Sequence, residues 1–208
     1  MNEFILDLDA YFCEKYAGYD KLSVLPGYKM PLMQASETDE WGRTRAYTLP
    51  ANTMRLATQE KKDELLKELK NRMVDTTFSF SFMPMNFMER TSARFSKQGF
   101  YKQLDVILKK YDFTDADALE TLNIDKEIWT GIRKNKFWPS KNLVLSLALA
   151  AHLSASDTWK LLEWSGHTMD YSIVKDVVLG YLLEKKVYNP AMVEAALKEY
   201  KVDNLFLR

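Results

Sequence analysis

Apolar residues return every three or four positions at both ends of this chain and lose that rhythm in between. Phe4, Ile5, Leu8, Tyr11, Phe12 and Tyr16 in "EFILDLDAYFCEKY" put one apolar face on a 3.6-residue period, which predicts an amphipathic helix stopping before Gly18. From Lys21 to Thr53, Pro26, Gly27, Pro31, Gly42 and Pro50 interrupt any period, so loops are predicted, with short strands around "YKMPLM" (28–33) and "RAYTLP" (45–50). Helical spacing resumes over 57–74 through Leu65, Leu66, Leu69 and Met73, with Thr58 placed to cap it and a charged opposite face. Phe78, Phe80 and Phe82 then alternate with small polar residues until Pro84, a strand pattern over 77–85. Such an edge is expected to lie against the core of its own chain, since proteins usually cover or shorten edges that could pair with a second copy.

From about Phe87 the pattern is helical to the end, with helices predicted at 87–95, 100–111, 115–122, 126–134, 140–152, 156–165, 172–185 and 190–200. Asn189 and Pro190 mark the start of the last: a side-chain acceptor for free N–H groups, then a residue that has no N–H to satisfy. The fold class expected is mainly α, with an α-rich N-terminal region (1–84) carrying short strands, and a helical domain (85–208). A chain of 208 residues is long enough to bury either one sizeable core or two small ones.

Charge narrows the range of partners. Lys and Arg total 29 and Asp and Glu total 29, so no net field draws the molecule to a polyanion or an anionic membrane, and any nucleic-acid contact must be local. The single cysteine, Cys13, has no internal partner for a disulfide, and Glu3, Asp7 and Asp9 stand where a signal peptide carries bases, so a reducing cytoplasm is expected. The apolar run "LVLSLALAAHL" (143–153) falls well short of the roughly 20 residues of a membrane span, and no membrane partner is expected.

Residues 113–157 carry a more specific pattern. Thr114 follows Phe113 ahead of the helix at 115, Asn123-Ile124 separates it from the next, Asp125 precedes the helix at 126, and Asn135 ends it. Pro139-Ser140 opens a helix with Leu143, Leu147, Leu149 and Ala150, and Ser154 or Ser156 opens another with Trp159, Leu161, Leu162 and Trp164. This order and spacing resembles the lambda-repressor-like (Xre-type) helix-turn-helix family over roughly residues 100–165, about five short helices, here extended by two more. A similar helical module, with the "PSK" exit and the long apolar helix, is also attached to unrelated bacterial domains.

The resemblance implies a bacterial regulator that lays its second motif helix, 126–134, along duplex DNA. It implies Asn123 at positive φ where the family usually has Gly, Trp129 and Ile132 inward against Ala118, Leu119 and Leu122, and a small residue at the helix crossing where Leu119 stands beside Ala118. It places Asp115, Lys126, Glu127, Thr130, Gly131 and Lys134 toward DNA, a mixed set that includes two carboxylates. Residues 112–153 hold six acids and five bases, yet Lys126, Arg133, Lys134, Lys136 and Lys141 gather on the second helix and its exit, beside Phe137 and Trp138. With Thr130 these form the candidate DNA-binding set, because phosphate contact needs Lys, Arg or neutral donors. The alternative is a non-catalytic interaction module that keeps the fold without DNA. It would use the wide apolar helix 172–185, with Ile173, Val174, Val177, Val178, Tyr181 and Leu182, or the tail Leu205, Phe206 and Leu207, to meet a protein partner or a second copy.

Other constellations point to no chemistry. Asp7 and Asp9 form a D-x-D, but the helical spacing of their apolar neighbours places them facing solvent rather than on a metal-binding strand. His152 and His167 lie too far apart for a helical metal pair, and His152 is expected to end helix 140–152, where a cation suits the dipole. Cys13 sits among apolar neighbours with nothing to serve it as a base, and no Gly-rich phosphate loop is present, so neither catalysis nor a cofactor or metal is expected.

Overall fold

The computed structural model describes residues 2–30, 34–48, 54–73, 82–95, 99–202 and 205–208. Among them the order is α1 (Asn2–Lys15), α2 (Tyr19–Leu22), β1 (Gln34–Thr38), β2 (Thr44–Thr48), a 3-10 turn (Leu56–Thr58), α3 (Lys62–Arg72), α4 (Phe87–Phe95), α5 (Phe100–Lys110), α6 (Asp115–Thr121), α7 (Lys126–Arg133), α8 (Lys141–Ala150), α9 (Ala155–Trp164), α10 (Val174–Glu184) and α11 (Pro190–Glu199). The protein is mainly α, and its one described sheet is the antiparallel hairpin β1–β2. No described helix is long and apolar enough to cross a membrane.

Periodicity found the helices because burial follows it. On α1 and just past its end, Leu8, Phe12 and Tyr16 are fully buried, and Leu65, Leu66 and Leu69 are buried on α3. Of the strand expected at 28–33, residues 31–33 lie outside the described residues and 28–30 form no strand; β1, at Gln34–Thr38, reaches β2 across a turn closed by Asp39, whose Oδ1 accepts from the N–H groups of Trp41 and Arg43. Thr58 sits in the 3-10 turn, its hydroxyl donating to the Arg55 carbonyl, so α3 begins later than Thr58 would have it and has no side-chain cap. The strand expected at 77–85 falls largely outside the described residues; its described end is an extended segment bridged at Pro84 to Phe137.

Helix α8 forms the centre of the C-terminal half. Leu143 to Leu149 are all buried, with α6 and α9 packed on it and α5 packed on α9. Helix α10 crosses this bundle with Val174 to Leu183 all buried among α1, α8, α9 and α11. Of the apolar face that a partner would have used, Val174, Val177, Val178, Tyr181 and Leu182 are therefore taken up inside the chain, and Ile173 is left exposed. The tail is taken up as well: Phe206 is buried, its N–H donates to Ser146 Oγ at 2.9 Å, and its ring stacks on Phe82 at 5.5 Å.

Segments 1–84 and 85–208 meet through α1. Phe12 stacks on Tyr16 at 4.7 Å and lies 4.5 Å from the Tyr200 ring, while Tyr181 packs on Phe4 and Tyr11. Asp7 and Asp9 do not simply face solvent. Tyr181 Oη donates to Asp7 at 2.9 Å, and Tyr200 Oη and Lys70 Nζ donate to Asp9 at 2.6 and 2.7 Å. Buried tyrosine rings need acceptors for their hydroxyls, and the two carboxylates of α1 supply them.

Five helices, α5, α7, α8, α10 and α11, end in the same way. Asp112, Asn135, His152, Lys186 and Lys201 each take a left-handed φ of 51–55° just past a helix, where glycine is the usual choice. In each case the following N–H turns back to a carbonyl five residues earlier, as Lys136 does to Gly131 and Leu153 to Ala148. These bonds satisfy carbonyls that would otherwise be left at the helix end.

Candidate nucleic-acid interface

The local architecture around the predicted site is α6, a four-residue turn and α7. Thr114 caps α6 with a reciprocal pair: Asp117 N donates to its hydroxyl at 3.2 Å, and Thr114 N donates to Asp117 Oδ2 at 2.7 Å. The Thr114 hydroxyl and backbone bonds hold the Asp117 carboxyl below the usual carboxylate range. Trp129, Ile132, Ala118 and Leu122 are buried as predicted, and Ala118, not Leu119, is the fully buried residue of that pair. The small residue thus faces inward and Leu119 is left half-buried beside it.

The turn differs from the expectation. Leu122 leaves α6 in an extended conformation, and neither Asn123 nor any residue from 122 to 125 has a positive φ. Asp125 occupies the position before α7 but makes no side-chain cap bond. Asn135 does take the left-handed conformation that ends α7, and Ser140 and Ser154 cap α8 and α9.

The six candidate residues divide into two groups. Lys126, Lys134 and Lys136 are exposed and make no ion pair among the described residues. Thr130 is half-buried and donates its hydroxyl to the Lys126 carbonyl at 2.8 Å, so its proton is committed to the helix. Arg133 is withdrawn: its guanidinium pairs with Asp105 and, at 3.1 Å, with Asp115, and packs over Trp129. Lys141 is withdrawn further, pairing with Asp176, whose side chain is only 1% exposed. Sequence reasoning grouped the bases by neighbourhood but carried no signal that α5 would bring Asp105, and α10 Asp176, against two of them.

Gly131 is also displaced from its expected role. It is buried against Phe137 rather than turned outward. Phe137 is held by Tyr101, whose hydroxyl donates to its carbonyl, by the Phe82 ring at 5.7 Å, and by its bridge to Pro84. Burial pushes the Tyr101 phenol above its ordinary range, so it remains a donor. A Cβ at 131 would overlap the Phe137 ring well inside van der Waals contact. Gly131→Ala would gain about 1 kcal/mol of helix propensity, but overpacking against a ring whose backbone is pinned at two points and whose face meets Phe82 costs about 1–3 kcal/mol. A net loss of up to about 2 kcal/mol is expected in urea unfolding, and a more stable variant would show that the ring yields.

A ribbon flanks this corner. Met85 N donates to the Lys136 carbonyl and Trp138 N to the Met83 carbonyl, both at 2.8 Å, so the α7 exit loop is paired antiparallel with 83–85 just before α4. Beside α7 lies a shallow cleft lined by Asp105, Lys109, Asp112, Asp115 and Arg133. No described cluster of three or more His, Cys, Asp or Glu residues could hold a metal ion. Cys13 is buried and burial pushes its thiol up to about 11, an environment that suppresses the thiolate. No family model, curated protein or solved structure matches the chain.

Proposed function

We propose that the chain is a non-catalytic, cytoplasmic nucleic-acid-binding regulator that meets the phosphate backbone through α7 and its exit loop, with duplex DNA the ligand implied by the Xre-type resemblance. What supports this is the exposure of Lys126, Lys134 and Lys136 on one helix and its exit, with no carboxylate paired to any of them among the described residues. Lysines held in that way can release the counterions of a polyanion, whereas Arg133 and Lys141 would first have to give up their carboxylates. The competing reading is an interaction module without nucleic acid, favoured by the neighbouring cleft, where Asp105, Asp112 and Asp115 outnumber Lys109 and Arg133 and so do not attract phosphate.

Fluorescence anisotropy with a mixed-sequence duplex at low salt separates the two. Three phosphate contacts predict a log–log salt slope near −3, at roughly 0.9 per contact, and Lys134→Glu with Lys136→Glu should weaken binding at least tenfold. Absence of binding to any DNA at low salt would leave the interaction module as the standing reading.

A further inference from the structure

The ribbon beside those lysines displays aromatic surface that a phosphate backbone does not use. Trp138 is 43% exposed, Met83 opposite it 65%, and Phe87, two residues beyond the ribbon at the start of α4, 81%. Large apolar side chains left in water at this density mark a contact surface. The charge around them is one-sided: among the described side chains of 82–95 and 134–138, Arg90, Lys134 and Lys136 stand against Glu89 alone. Glu89 is already engaged, accepting from Asn86 N at 2.8 Å. In a chain of zero net charge, the two stretches that the ribbon joins thus carry an excess of bases together with exposed rings.

Resting on the nucleic-acid reading above, we propose that this face binds a single-stranded nucleic acid, bases stacking on Trp138 and Phe87 while Lys134, Lys136 and Arg90 meet the backbone. A paired duplex keeps its bases stacked inside and offers these rings only phosphates and groove edges. An unpaired strand offers a π-face at every nucleotide, and stacking plus a basic track is sufficient to bind it without sequence readout. The ribbon is well suited to hold the rings in place, since the backbone bonds at Met83 and Met85 fix the loop that carries Trp138.

The test uses the full chain with fluorescein-labelled oligothymidylate of about 20 nucleotides and a mixed duplex of equal length, titrated at low salt. Single-strand binding at least tenfold tighter than duplex binding is expected, with quenching of tryptophan fluorescence. Trp138→Ala should remove that quenching and weaken single-strand binding about tenfold, Phe87→Ala about fivefold, both with little effect on duplex. Far-ultraviolet circular dichroism and the unfolding midpoint show that each variant is folded, and Trp138→Phe, which keeps a stacking face, should restore most of the affinity. Equal or tighter duplex binding would overturn the single-strand proposal while leaving the nucleic-acid reading intact. Binding that responds to Lys134→Glu but not to Trp138→Ala would overturn it too. Absence of binding to either ligand would overturn both. A stable dimer in light scattering that Phe87→Glu dissolves would assign the exposed rings to a second copy, and would likewise overturn it.

Discussion

Replacing Phe12 by alanine is expected to cost about 3–5 kcal/mol, the range for removing a large aromatic from a closed core. The ring is fully buried, stacked on Tyr16 at 4.7 Å and set 4.5 Å from Tyr200, so the cavity would open between a helix at the start of the chain and a residue at the end of α11. Tyr200 is anchored by its hydrogen bond to Asp9 and cannot simply fill the gap. For a chain of this length the loss corresponds to a fall of roughly 10 °C in unfolding midpoint. Differential scanning calorimetry should show the α8–α9 half losing stability with α1, in one transition. Two separated transitions, with the later one unmoved, would show that α1 only rests against the C-terminal helices.

Most of the helices are legible in the sequence because burial imposes a 3.6-residue period on any helix with one face in the core. Leu65, Leu66 and Leu69 make α3 plain, and Asn189-Pro190 marks the start of α11 from residue chemistry alone. Stop signals are less legible. Glycine marks the end of α9 at Gly166, but α5, α8, α10 and α11 end on Asp112, His152, Lys186 and Lys201, where Asp and His tolerate positive φ better than most residues and the lysines carry no such signal. These positions are set by the bonds that the next N–H makes to the helix, which composition does not encode. Asn123 shows the converse error: a residue tolerant of positive φ is assigned one by resemblance, and the extended Leu122 removes the need.

The candidate site is half legible for a related reason. Sequence distance collects six residues into one corner, but whether a base is available depends on acids far along the chain. Asp176 is 35 residues from Lys141 and Asp105 is 28 from Arg133, so local charge counting cannot see either neutralisation. The ribbon is hidden as well, because Met83, Pro84 and Met85 read as the end of a strand whose partner, Lys136 to Trp138, reads as a loop.

Asp176→Ala is expected to destabilise the protein by about 3–5 kcal/mol, since it leaves a largely buried ammonium without its counter-charge. The Asp176 carboxylate accepts from Lys141 Nζ and, at 2.6 Å, from the Asp170 N–H, joining the start of α8 to the loop that leads into α10. Lys141 is itself only 20% exposed, so water cannot readily replace the lost acceptor. Pairing Asp176→Leu with Lys141→Met removes both charges and should recover much of the loss, because a buried ion pair gains little over well-packed apolar groups once each ion's desolvation is counted. Urea unfolding of the two single variants and the double measures this coupling, and an Asp176→Ala cost below about 1 kcal/mol would mean that water reaches the pair. The same pair decides how Lys141 bears on function. A lysine bound to a buried carboxylate releases no counterion when a polyanion docks, so Lys141→Met should lower stability yet leave the salt slope of DNA binding unchanged, whereas Lys136→Met should reduce that slope by about one and leave stability unchanged.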